Sequence, residues 1–357
     1  MDKAERKDTA QHALVYVGIA VTVVIVLVLL WYAIDVVLLA FVGVLLAILL
    51  RAPADWLTER FGLREGWSLA IVGVVTLALL VSAALLFGQG IIAQALQLVD
   101  RIPEILETSR ERLSQSELGS RLVAFADSSS VFGGGEGQFI GRGLGLIGST
   151  FGAIANVLIV VFFAVFMAAQ PRPYVEGFLF LVPRRHRARG REVLYEIGKV
   201  LKRWLVGQSL LAVCVALLTG VGLVLLGAPF AIALAVLAGL MEFVPYVGPF
   251  VAAVPAVLVG FGDSPQLALK VALLFLAIQM IESYVLAPLI QHKAVHLPPA
   301  TILFAQVLMG AIVGALGVAV ATPLAAAVMV AVSMLYVQDA LGDKQAALGD
   351  KNAKVKS

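Results

Sequence analysis

The chain has 357 residues, 61% of them hydrophobic and only 14% charged, and its mean hydropathy is +0.99. Soluble chains carry about 45–50% apolar and about 25% charged residues. One aqueous core cannot hide this excess, so the composition argues against a cytoplasmic enzyme, a nucleic-acid binder or a disordered scaffold. The net charge of +3 matters through its distribution along the chain rather than its total. One cysteine, Cys214, allows no internal disulfide and no thiolate cluster, and the four histidines are too scattered for a metal motif.

A membrane helix needs about 20 mostly apolar residues. Ala13 to Ile34 is such a stretch, followed after Asp35 by Val36 to Leu50. These predict two helices joined by a tight turn near Trp31, Tyr32 and Asp35. The first is too long for the apolar core of a signal peptide and is expected to remain in the mature chain. A third span is expected from about Trp67 to Leu86, continuing as a helix through Gln89, Gln94 and Gln97 towards an interface. A fourth is expected from about Leu146 to Ala168.

The segment 100–142 holds five arginines and seven acids. Its apolar residues at helical spacing predict amphipathic helices on or near the membrane. Gly133-Gly134-Gly135 lacks the Lys-Ser/Thr of a phosphate loop. The segment 171–203 is the opposite, with nine Lys/Arg against three Glu. Arg184, Arg185, Arg187, Arg189 and Arg191 read as a lipid-facing basic loop held on the cytoplasmic side. Counting spans from there puts 100–142 outside, both termini inside, Asp263 inside and Lys293 outside.

A fifth span is expected near Leu205 to Leu226, stopped by Gly227-Ala228-Pro229. Phe230 to Val259 is apolar but carries Glu242 and then Pro245 and Pro249 around Gly248, so it cannot be one regular helix. A seventh span runs from about Leu267 to Ile290 with Gln279 and Glu282. Ala294 to Gln338 contains Pro298-Pro299, then Gly310, Gly314, Gly317 and Pro323. It reads as one long broken helix or as a re-entrant hairpin plus a span. The sum is an all-α polytopic membrane protein of about eight transmembrane helices, broken or re-entrant in the C-terminal half; seven crossings with re-entrant pieces is the alternative.

A carboxylate at membrane depth costs several kcal/mol and marks a working site by default. Glu242 precedes Pro245 by three residues. Glu282 follows Gln279 by three, on one helix face. The prolines are expected to free the carbonyls of Met241 and Pro245, and broken-helix transporters build ion sites from such parts. The candidate transport or ion site is therefore Glu242, Glu282, Gln279, Pro245, Gly248 and Pro249. Gly310, Gly314, Gly317 and Pro323 are candidates for helix packing or gating, with Pro323 opening a half-helix that Thr322 caps. Gln208, Gln306, Asn156 and Asp35 read as structural polar groups. No nucleophile elbow, zinc-protease helix or dinucleotide fingerprint occurs, so neither catalysis nor a cofactor is implied.

The run Gly239-Leu240-Met241-Glu242-Phe243-Val244-Pro245-Tyr246-Val247-Gly248-Pro249 resembles a signature of the AI-2E (PerM-like) transporters. Gln279-Met280-Ile281-Glu282-Ser283, continuing to Pro288-Leu289-Ile290, resembles a second; Leu297-Pro298-Pro299 with Gly310, Gly314, Gly317 and Thr322-Pro323-Leu324 resembles a third. Lys202, Trp204 and Gly207-Gln208 resemble the family's polar start to the fifth span. Relatives often have Asn where this chain has Ser283. The resemblance implies an eight-span bacterial inner-membrane protein and a homo-oligomer. It also implies a secondary transporter or exporter of an autoinducer-2-like small solute, or alternatively a sodium or lithium/proton antiporter. A non-transporting structural or regulatory membrane protein is the reading from a different class. The partners implied are a small solute, a proton or sodium ion and membrane lipid, with no nucleic acid. The expected organisation is a three-span region over 1–99, an extracytoplasmic amphipathic region over 100–142 and a fourth span over 143–170. The basic cytoplasmic loop over 171–203, a transport core over 204–337 and a flexible cytoplasmic tail over 338–357 complete it.

Overall fold

A computed structural model of the chain describes residues 33–83, 150–291 and 298–342, with a few positions between 85 and 104. The first expected span, nearly all of 100–142 and the end of the tail lie outside the described residues. Within them the regular structure is helical: α1 (Ile34–Phe61), α2 (Glu65–Ala83), α3 (Thr150–Ala169), α4 (Pro171–Phe180), α5 (Arg187–Leu225), α6 (Ala231–Met241), α7 (Val247–Asp263), α8 (Pro265–Ile281), α9 (Ala287–Gln291), α10 (Pro299–Val313) and α11 (Ala315–Val332). A 3-10 turn, Arg184–His186, leads into α5. A π-helical turn, Glu282–Leu286, joins α8 to α9, and another, Ser333–Gln338, ends α11.

Among the described residues four helices are long and apolar enough to cross a membrane: Ile34–Phe61, Arg184–Leu225, Pro265–Gln291 and Ala315–Gln338. A fifth crossing exists if Val157–Ala169 and Pro171–Phe180, bent by 91°, form one broken span. The expectation of about eight crossings is corrected accordingly. Among the described residues the expected apolar segments are helical, but α6, α7 and α10 are short helices, paired in hairpins that double back.

α5 shows why the segments fold as helices. Its exposed large residues, Val206, Leu210, Val213, Leu217, Val221 and Val224, recur every three or four positions. The opposite stripe, Leu201, Trp204, Leu205, Gln208, Leu211, Val215, Thr219 and Leu223, is buried. One face therefore meets lipid and the other meets protein. Small residues close the contacts on that protein face, as membrane interfaces require. A Cβ on Gly239 of α6 would lie 2.9 Å from the Ala212 carbonyl, and one on Gly220 would lie 3.2 Å from Ala235.

The path of the sixth segment is decided by a buried cluster. Leu223 near the end of α5, Ala231 and Leu234 at the start of α6, Val259 near the end of α7, and Leu267 and Val271 at the start of α8 pack together. So α6 descends from the Gly227 turn and α7 climbs back to the same level. Eleven residues of α6 rise about 16 Å, half of a hydrocarbon core about 30 Å thick. The segment is a half-depth hairpin, not a crossing.

A second hairpin is α10–α11. Gly317 lies against the Met309 carbonyl, and a Cβ on Gly310 would stand 2.8 Å from Val318. Residues eight apart in a continuous helix are about 12 Å apart, so the chain must reverse between them. Gly314 makes the reversal with φ 76. Of the three glycines, Gly314 is the turn, while Gly310 and Gly317 let the two helices touch. Pro323 lies inside α11 rather than at its start, so Thr322 does not cap a half-helix there.

At the other end of α5, Arg189 grips the exit of α11. Its Nε and Nη2 donate to both Asp339 carboxylate oxygens at 2.9 Å. Nη2 also donates to Gln338 Oε1 at 3.0 Å and to the Met334 carbonyl at 3.1 Å. The start of α5 and the end of α11 therefore share one side of the bundle. Asp263 lies at the opposite end, with Gly227, because the sixth segment turns back. This corrects the expectation that Asp263 shares the side of the basic segment. Lys293 is outside the described residues; Gln291, where α9 stops, packs on Gly207.

The basic segment 171–203 is not a loop. It contains α4, the 3-10 turn and the opening of α5. Two of its five clustered arginines turn inward. Arg189 holds Asp339; Arg187 lies 5.0 Å over the Phe180 ring and donates to the Val182 carbonyl at 3.1 Å. Arg184, Arg185 and Arg191 are exposed.

Candidate functional site at the α6–α7 break

The break begins where α6 runs out of donors. Pro245 has no N–H for the Met241 carbonyl. The chain tightens, and Val244 N donates to Met241 at 2.9 Å while Gly248 N donates to Val244 at 2.8 Å. Gly248 is required because its α-carbon passes directly over the Met241 carbonyl, where a side chain would collide. Tyr246 takes φ 66 and ψ −51, an unfavourable conformation for a bulky residue. Such strain concentrates at ligand clamps and switch regions.

Glu242 sits at the tip of this hairpin and is 3% exposed. Gln208 of α5 donates its Nε2 to the Glu242 backbone carbonyl, and the same nitrogen is 3.4 Å from Glu242 Oε1. Gln208 Oε1 accepts from Gln291 Nε2 at 3.0 Å. A buried amide with all its groups engaged holds its neighbours in one geometry. Gln208 thus fastens α5, the hairpin tip and α9 together.

Glu282 reaches the same place from α8. It opens the π turn, where Ala287 N donates back to the Glu282 carbonyl. The widened turn lets the helix continue into Pro288, whose missing donor would leave an α-helical ladder incomplete. Gln279 Nε2 donates to Glu282 Oε2 at 3.1 Å and to Ser283 Oγ at 3.4 Å. Glu242 and Glu282 therefore face the same small cavity from two different helices.

A cavity of about 20 Å³ adjoins the pair. Its walls are Val215 and Thr219 of α5, Ala238 of α6 with Glu242, Pro249 and Ala252 of α7, and Phe275, Ile278 and Gln279 of α8 with Glu282. Of the sequence-predicted site residues, Glu242, Glu282, Gln279 and Pro249 line it together. Pro245 and Gly248 shape the turn instead.

The carbonyls expected to be free are engaged. Met241 accepts from Val244, and Pro245 accepts from Val247 N at 2.8 Å. Pro245 also accepts from Gln306 Nε2 of α10 at 2.8 Å. Gln306 is 2% exposed and ties the second hairpin to the first. Gln208 and Gln306 therefore belong to the site's frame, a position that their apolar surroundings in sequence do not specify. Gln291 and Thr219 carry no sequence signal beyond being polar in apolar runs. Asn156 has no described side chain, and Asp35 lies exposed in the first turn of α1.

Comparison with known proteins gives the family. The AI-2E family transporter pattern matches residues 19–336. The chain belongs to the AI-2E transporter family. It is similar to YueF of Bacillus subtilis, 28% identical over 51% of this chain and 50% of that protein. It is also similar to YhhT of Escherichia coli, 24% identical over 91% of both chains, and to a Thermotoga maritima protein, 29% identical over 48% of this chain and 52% of that one. All three are named only as candidate transport proteins. The match spans about half the length of the Bacillus and Thermotoga relatives. The chain is thus a multi-pass helical membrane protein of a transport family rather than of an enzyme family, with a buried acid, Glu242, and a half-buried one, Glu282, at broken helices.

Proposed function

We propose that the chain is a secondary transporter or exporter of a small, autoinducer-2-like solute, and that the Glu242–Glu282 pair carries the proton coupled to its movement. The observation that supports this most is the meeting of two acids, Glu242 at the tip of a half-depth hairpin and Glu282 of the neighbouring helix, at one enclosed cavity. Burial makes a charged carboxyl expensive. Moving the proton on or off the pair changes the charge the hairpin must hold, and so biases its position. Gln279 orients Glu282, and Gln208 fixes the backbone that carries Glu242. The engaged carbonyls of Met241, Glu242 and Pro245 favour a proton over a sodium or lithium ion, which would call on those oxygens as ligands. The inner membrane of a bacterium, with both termini cytoplasmic, is the location this reading takes.

The test is flux in proteoliposomes under imposed proton and sodium gradients. Glu242→Gln and Glu282→Gln keep the shape and remove the exchangeable acid. Each is expected to reduce proton-driven flux at least tenfold while leaving the folded yield unchanged. Wild-type flux in both variants would end the mechanism, and flux driven by sodium alone would replace it with cation antiport.

A further inference from the structure

Thr219 is buried to 0% exposure on α5, and its Oγ1 has no hydrogen-bond partner among the described residues. An unpaired hydroxyl in an apolar setting costs about 1–3 kcal/mol. A valine of the same shape would avoid that cost entirely, so packing alone does not account for a threonine here. Thr219 also lines the cavity that Glu242, Glu282 and Gln279 share.

That cavity, about 20 Å³, exceeds the about 10–15 Å³ that one water needs. A bound water also needs two to four polar partners, and the wall supplies a hydroxyl, two carboxyls and an amide. The rest of the wall is carbon, from residues such as Val215, Ala252 and Phe275. A guest must therefore stay near its polar edge. Val215 and Thr219 are one turn apart on α5, and Ala238 and Glu242 are one turn apart on α6. The cavity thus runs along the helices from the carboxyls towards the end of the bundle that holds the Gly227 turn and Asp263.

We propose that this cavity is a water site, with Thr219 Oγ1 as a ligand of the bound water on the Gly227 side of the carboxyl pair. The water satisfies the hydroxyl and extends the polar path from Glu242 and Glu282 by one hydrogen-bonded step. A proton leaving the pair towards that side passes to the water, so the pair loses the one proton that the water gains. The role as a proton step rests on the transport reading above; the presence of the water does not.

The experiment measures apparent thermal unfolding midpoints of the full chain in detergent for Thr219→Ser, Thr219→Val and Thr219→Ala. Serine keeps the hydroxyl and loses a methyl group. Valine keeps the volume and loses the hydroxyl. A liganded hydroxyl makes the serine variant the more stable, with valine roughly 2–4 °C below it. A valine variant equal to or above serine shows that the hydroxyl binds nothing and overturns the proposal. If the valine variant does not fold, serine against alanine decides by the same ordering. Sodium chloride replacing choline chloride should leave the wild-type midpoint unchanged. A sodium-dependent rise that Thr219→Val abolishes would overturn water in favour of a monovalent cation. The destabilised valine order together with wild-type flux in Glu242→Gln and Glu282→Gln would keep the water and remove the transport mechanism.

Discussion

At the α6–α7 reversal the chain uses five residues, 242–246, and at the α10–α11 reversal a single glycine, Gly314. Both reversals bring a glycine onto the opposite helix's backbone: Gly248 on Met241, and Gly317 on Met309. The difference lies in what else each turn holds. The first places a carboxylate and a strained tyrosine at its tip. The second is built from apolar and glycine residues, with φ 76 taken by the residue type that bears it without strain. One means of reversing a helix thus serves chemistry in one place and packing in another. Gln306 joins the two, donating from α10 to the Pro245 carbonyl.

The likeness between the two hairpins breaks first at the crossing glycines. Gly248→Ala drives a methyl group into the Met241 carbonyl and is expected to cost more than about 4 kcal/mol, beyond the usual range for one substitution. The measurement is the yield of monodisperse protein, which should collapse. Gly317→Ala should behave in nearly the same way. Gly314→Ala meets no atom within 4 Å and carries only backbone strain, about 1–3 kcal/mol. Its protein should be recovered with a lowered midpoint. Equal losses at Gly248 and Gly314 would mean that conformation rather than contact sets the hairpins.

A smaller effect tests the link between the hairpins. Gln306→Leu leaves the Pro245 carbonyl with Val247 N alone, and removes an amide whose Oε1 has no partner among the described residues. The two changes oppose one another. The midpoint should fall by no more than about 1–2 kcal/mol in equivalent stability, while flux falls further than stability does. Unchanged flux would show that the second hairpin is not coupled to the first.

The smallest effect is expected at Arg189. Its side chain is 27% exposed, and exposed ion pairs contribute about 0–1 kcal/mol. Arg189→Lys loses the two-pronged grip on Asp339 but not the charge. The midpoint should drop slightly and the drop should shrink at high salt. Arg184→Lys, at an exposed position, should leave it unchanged.

Much of the fold can be read before any packing is known. Charge-free runs of about 20 residues show where helices must lie, since the bilayer core offers no water to a bare backbone. Gly227-Ala228-Pro229 and Pro245-Tyr246-Val247-Gly248-Pro249 show where helices stop. Glu242 and Glu282 stand out because charge is so costly in hydrocarbon. Among the described residues the expected sixth and eighth segments fold back as hairpins, because proline and glycine mark the end of a helix without giving the direction of the next one.

Composition and spacing by themselves determined that this chain is a helical membrane protein, where its helices are interrupted, and which two acids sit in apolar runs. Tertiary structure alone decided that α7 turns back beside α6, that Asp263 lies away from Arg189, and that Glu242 and Glu282 line one cavity. Those outcomes rest on contacts between residues far apart in the chain, such as Leu223 with Val259 and Gln208 with Glu242. No local pattern encodes such pairs, because a helix face specifies that it must be covered by something of the right size and polarity, not by which segment.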